Sequence, residues 1–146
     1  MAKFRFRLQS VLSIKEKVED LKKNEFGKAV TALAQAQRAK AEMEATRANA
    51  IEDFRRQIDE GINPAAFARY NGFIDKMKIL IKQQEQVVAQ AEAFVELKRQ
   101  ELVEAMRDRK TLETLRDNDF EEHLEEEKKL EQKLVDEIVS YKGSLT

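Results

Sequence analysis

The chain has 146 residues, of which 38% are charged, with only four glycines and one proline. That makeup excludes a wide globular core and is the compositional signature of long helices and coiled coils. Twenty-seven basic and 28 acidic side chains nearly cancel, so no net field argues for nucleic acid or a membrane surface as the partner. With no cysteine, disulfides, thiolate metal sites and thiol nucleophiles are excluded together.

The opening Met-Ala-Lys-Phe-Arg-Phe-Arg carries charges but no apolar core of signal-peptide length follows it, and no later stretch approaches a membrane span. The expected location is the cytoplasm. Phe4 and Phe6 alternate with Lys3, Arg5 and Arg7. Basic and aromatic residues can bind nucleic acid or anionic lipid, but the run is short, and pairing with an acidic stretch later in the chain, plus a protein partner, is expected instead.

From Leu8 onward the composition is helix-forming until Glu60-Gly61-Ile62-Asn63-Pro64, where the breakers concentrate. Gly61 suits the left-handed position after a helix end, Asn63 an N-cap, and Pro64 the first helical position, where a missing N–H costs nothing. The pattern predicts helix 1 over about Leu8 to Asp59, a turn over residues 60–63, and helix 2 over about Pro64 to Ser140. The two form an antiparallel coiled-coil hairpin, all-α, in one domain spanning residues 1–146. Asn71-Gly72 is read through as helix, because Phe67, Tyr70, Ile74 and Met77 keep helical spacing around it.

In helix 1, Val11, Ile14, Val18 and Leu21, then Phe26, Val30, Leu33, Met43, Ile51, Phe54 and Ile58, are expected to form the seam, with a phase shift between Leu21 and Phe26. Helix 2 is stricter: Phe67, Ile74, Ile81, Val88, Val95 and Leu102 recur every seven residues, with Tyr70, Met77, Ala91, Ala105 and Leu112 in the companion row. A further seven-residue row, Phe73, Leu80, Val87 and Phe94, widens the apolar face. It either wraps the edge of helix 1 or receives a partner.

At 1.5 Å per residue the helices would be roughly 80 and 115 Å long, so helix 2 overhangs from near Leu115. Phe120, Leu124, Leu130, Leu134 and Ile138 mark an apolar stripe along that overhang, which needs a partner chain or frays. Reflected through the turn, Lys3, Arg5 and Arg7 fall beside Asp117, Asp119, Glu121 and Glu122, and ionic attraction is expected there.

No phosphate loop, nucleophile triad or acid–base pocket can be assembled, so no catalytic role and no cofactor is expected. The single histidine, His123, lies among Glu122, Glu126 and Glu127. A metal centre needs more convergent ligands than one such helix face supplies, and the cluster reads as a solvated face.

The opening Phe4-Arg-Phe-Arg-Leu-Gln-Ser-Val-Leu12, the post-turn Tyr70-Asn-Gly-Phe-Ile-Asp-Lys-Met77 and Lys110-Thr-Leu-Glu-Thr-Leu115, in this order around an off-centre turn, resemble the flagellar export protein FliJ family over essentially the whole chain. The resemblance implies a non-enzymatic stalk of the flagellar type III export apparatus. Its terminal end would enter the export ATPase hexamer and promote ring assembly and activity. The region after the turn would contact the cytoplasmic domain of the membrane export gate, and export chaperones are a further class of partner.

Carried onto this sequence, the gate contact falls on Phe73, Met77, Leu80 and Gln84. The ring contact falls on Arg5, Arg7, Leu8, Val11, Leu12 and Lys15, with Leu112, Leu115 and Arg116 opposite. Rival readings are the stalk of a virulence-type secretion system, a coiled-coil spacer or homodimer that hides Phe73, Leu80 and Phe94, and an export chaperone whose overhang holds client tails.

Overall fold

The computed structural model describes residues 3–145, with side chains to residue 144. Two helices, α1 (Gln9–Glu60) and α2 (Pro64–Leu145), fold back on each other as an antiparallel hairpin. The hairpin divides into two compact units. The terminal unit comprises the residues up to Leu21 and from Leu102 onward, and the turn unit comprises Lys22–Glu101.

The turn is built as its residues dictate. Gly61 adopts φ of 89°, a left-handed conformation that costs any residue with a Cβ about 1–2 kcal/mol, and its N–H donates to the Ile58 carbonyl at 3.2 Å. The Asn63 side-chain oxygen accepts from the Ala66 N–H at 2.8 Å, which satisfies one of the donors that a helix start leaves orphaned. Pro64 then opens α2 and the Phe67 N–H returns to the Asn63 carbonyl at 3.0 Å. Helix α1 ends one residue past Asp59, and its start, Gln9, follows a tight turn in which Gln9 N–H donates to the Phe6 carbonyl at 3.1 Å.

Helix α2 runs unbroken through Asn71-Gly72 and continues past Ser140 to Leu145. Gly143 does not stop it, since a lone glycine costs about 1 kcal/mol in a helix and no proline follows. Ser144 Oγ donates to the Tyr141 carbonyl at 2.7 Å, and Lys142 lies in the last turn, where a cation complements the helix dipole.

Burial is confined to one row on each helix. In the turn unit Ala29, Ala36, Ile74 and Met77 are buried, and in the terminal unit Phe6, Leu12, Ala105 and the carboxylate-bearing Glu19. On α2 the row follows the expected heptad from Tyr70 onward, because Tyr70, Ile81, Val88, Ala91, Val95, Leu102 and Leu112 are all at least half covered, but Phe67, expected to open it, is 46% exposed. On α1 the seam differs from expectation at Val30 and Ile58, which are 43% and 47% exposed, and more widely at its start. Leu12 is fully buried and Glu19 is 5% exposed, whereas Ile14 is 58% and Leu21 55% exposed. The row Val11, Ile14, Val18, Leu21 therefore lies beside the seam, and Lys15 and Glu19 continue from Leu12 within it. The apparent phase shift before Phe26 is the point where the apolar row leaves the seam, which itself continues at seven-residue spacing from Leu12 and Glu19 to Phe26 and Leu33.

Gly72 is in the body of α2 with open space where a Cβ would be. Gly72→Ala is expected to raise unfolding free energy by about 0.5–1 kcal/mol in a denaturant titration. Gly61→Ala is expected to lower it by about 1–2 kcal/mol.

Candidate partner-binding surfaces

In the terminal unit, residues 3–6 are neither helix nor strand, yet their side chains alternate as in an extended chain. Phe6 is buried and Phe4 half-buried, while Lys3, Arg5 and Arg7 are exposed. The Phe4 ring meets Phe120 edge-on at 5.2 Å between centroids and 69° between planes. It also meets His123 at 5.4 Å, and His123 Nε2 is 3.4 Å from Glu127. Among the described residues no ion pair links Lys3, Arg5 or Arg7 to Asp117, Asp119, Glu121 or Glu122. The expected ionic clasp is thus corrected: the aromatic residues hold the segment and the cations face outward. This packing also moves the overhang from Leu115 to beyond Glu127, after which every described side chain is exposed.

The residues expected to meet a ring divide by accessibility. Arg5 and Arg7 are exposed, Val11 is 39% and Leu115 43% exposed, and Leu8 and Leu112 are half-buried. Leu12, at 0%, belongs to the seam and is closed to any partner. Lys15 Nζ reaches Asp108 at 3.5 Å, and Arg116 lies 3.9 Å from Asp117. Sequence reasoning missed that Ile14 and Leu21, with the half-buried Val18 between them, extend Val11 into an apolar row beside the seam. Their spacing was visible, but spacing alone does not say which of two adjacent rows meets α2.

In the turn unit, the four residues expected to meet the gate occupy two rows. Phe73 is 44% exposed and Leu80 is half-buried at the helix edge. Met77 is buried in the seam, and Gln84 turns toward α1, its Nε2 donating to the Ala36 carbonyl at 2.9 Å. An open groove of about 310 Å³ beside Phe73 is lined by Ala50, Asp53, Arg69 and Tyr70, so α1 contributes to this surface as well. Phe54 anchors it, packing edge-on against Phe67 at 5.0 Å and stacked against Tyr70 at 5.5 Å. Val87 and Phe94 remain 46% and 49% exposed, with Lys98 Nζ 5.2 Å over the Phe94 ring. Helix α1 does not bury this row.

Charges occupy seam positions in both units. In the turn unit Lys98 bonds Glu101 at 3.1 Å and Glu25 at 3.3 Å, and Lys22 bonds Glu101 at 3.3 Å. Glu101, and after it Glu25, hold the Lys98 ammonium above its ordinary pKa. Lys98, and after it Lys22, hold the Glu101 carboxyl below the usual carboxylate range, against the desolvation that opposes them. In the terminal unit Arg109 bonds Glu113 at 2.8 Å and pairs with the buried Glu19. Glu113, then Glu19, raise its pKa. These groups satisfy one another's charges within the seam. Among the described residues no group of three His, Cys, Asp or Glu side chains converges to hold a metal ion, and no helix is long and apolar enough to cross a membrane.

A model of the flagellar FliJ protein family matches residues 4–144. The chain belongs to the FliJ family. Membership places it among the components of the flagellar type III export apparatus, a family of non-catalytic coiled-coil proteins. No curated protein matches it. Among solved structures it is similar to a chain described as a YscO homolog, CT670, from Chlamydia trachomatis, with a TM-score of 0.69 and 22% identity. That likeness covers 98% of this chain and 97% of the other, and it shows a shared fold.

If aromatic packing anchors residues 3–8, Phe4→Ala will weaken that segment by about 1 kcal/mol, read as faster amide exchange at Gln9. Lys3→Ala and Arg5→Ala will leave exchange there unchanged.

Proposed function

We propose that this protein is the stalk of the export ATPase. Its terminal unit enters the hexameric ring and promotes ring assembly and turnover, and its turn unit contacts the cytoplasmic domain of the membrane export gate. Family membership supports the apparatus. The observation that carries the ring contact is the outer surface of the terminal unit, where Arg5 and Arg7 stand unpaired beside the exposed row that begins at Val11. Unpaired cations next to an apolar strip suit acidic loops lining a ring, since charge steers encounter while the apolar contact supplies affinity.

Within the carried-over set, Arg5, Arg7, Val11, Lys15, Leu115 and Arg116 make the contact, with Leu8 and Leu112 at its edge. Leu12 supports it from the seam. For the gate, Phe73 and Leu80 with the groove at Asp53 and Arg69 form the contact, while Met77 and Gln84 set the helix that presents them. The rival spacer needs no ATPase, and no observation on the chain favours it over the stalk.

The test is turnover and ring assembly of the cognate export ATPase with the full chain and with a variant carrying Arg5, Arg7 and Lys15 as alanine. The wild type is expected to stimulate both quantities, and the variant to lose at least about tenfold of that effect, equivalent to 1.4 kcal/mol. Absence of stimulation by the wild type would overturn the reading.

A further inference from the structure

The terminal unit leaves two apolar rows uncovered. On α1 the row is Val11, Ile14 and Leu21, 39%, 58% and 55% exposed, with the half-buried Val18 between them, beside the seam residues Leu12 and Glu19. On α2 it is the stripe beyond Glu127, where Leu130 is 63%, Leu134 59%, Ile138 54% and Tyr141 67% exposed. Apolar side chains at helical spacing, this open to water, are the mark of a contact with another helix.

The two rows fit each other. Ile14, Val18 and Leu21 step by four and three residues, and Leu134, Ile138 and Tyr141 step by the same intervals. Setting Ile14 beside Leu134, with both helices running in the same direction, brings Val18 to Ile138 and Leu21 to Tyr141. The same register sets Arg5 and Arg7, exposed and unpaired, level with Glu125 and Glu127, and Lys17 level with Glu137. Charge supports the pairing more broadly: residues 117–127 hold seven carboxylates and no Lys or Arg, while Lys3, Arg5 and Arg7 precede the α1 row.

Within one chain Ile14, Leu21 and the α2 stripe remain exposed and Val18 is only half-buried, so the two rows do not cover each other. We infer that a second copy of this chain covers them, the α1 row of each protomer packing along the α2 stripe of the other in a reciprocal, two-fold dimer. A closed symmetric exchange buries both rows twice and leaves no open end for further growth. The inference rests on the two rows alone and not on the stalk reading. If that reading also holds, the dimer occludes Arg5, Arg7 and Val11, and it is the idle form that must separate before the ring is entered.

The experiment is sedimentation equilibrium of the full chain over a concentration series, with no other protein present. The wild type is expected to pass from the 17.0 kDa monomer to twice that mass. Ile14→Lys and Leu134→Glu change exposed side chains only, and each is expected to stay monomeric with unchanged helicity by circular dichroism. Mixed in equal amounts, they are expected to restore the dimer. One of its two contacts then pairs lysine with glutamate, and the other is wild type. A monomer at every concentration, a dimer that survives both substitutions, or a mixture that stays monomeric would each overturn the proposal. Because no ATPase is present, these outcomes are separate from success or failure of the ATPase assay.

Discussion

A seam between only two helices can cover only one face of each, and this constraint governs the rest of the molecule. With no third layer, much of the apolar surface outside the seam row stays in water. Which row becomes the seam therefore decides what surface remains for partners. At the start of α1 the seam goes to Leu12, Lys15 and Glu19, and the neighbouring valine, isoleucine and leucine row is left outside. In the turn unit the seam takes Ile74 and Met77 and leaves Phe73 at the edge.

The seam itself is not uniformly apolar. Gln84, Lys98 and Arg109 stand at positions where a leucine would pack, and each finds a partner on α1: the Ala36 carbonyl, Glu25 and Glu19. Such charged or polar layers add little net stability, because desolvation offsets the attraction between partners. Their established use in coiled coils is to fix register, since a slip of the helices would leave each group without its partner. The small buried Ala29 and Ala36 contribute close approach rather than volume. The fold is held by many modest contacts along its length, with Leu12 its one fully buried large side chain among the described residues.

The sequence was most legible where structure is local. Gly61, Asn63 and Pro64 each act on their own backbone, so the turn could be read residue by residue, and α2's heptad named its seam. Three features were not legible for one shared reason: position along a helix pair is readable from sequence, but direction around it is less so. Reflection through the turn set Lys3, Arg5 and Arg7 level with the acidic run, yet their side chains point away from it and Phe4 makes the contact. Adjacent apolar rows on α1 had similar periodicity, and the charged residues that claimed the seam could not be recognised without their partners on α2. Met77 and Gln84 likewise share a helix with Phe73 but face α1. Helix α2 ran past Ser140 because a single glycine is too small a penalty to end a long helix.

The proposed function is a division of labour in which the terminal unit would meet the ATPase and the turn unit the gate. The chain has no cysteine, so single cysteines carrying a photocrosslinker at Arg7 and at Phe73 test it directly in the assembled export apparatus. The account predicts that the probe at Arg7 captures the ATPase and not the gate, and that the probe at Phe73 captures the gate and not the ATPase. Capture of the same partner from both positions, or of the two partners in reverse, would contradict it.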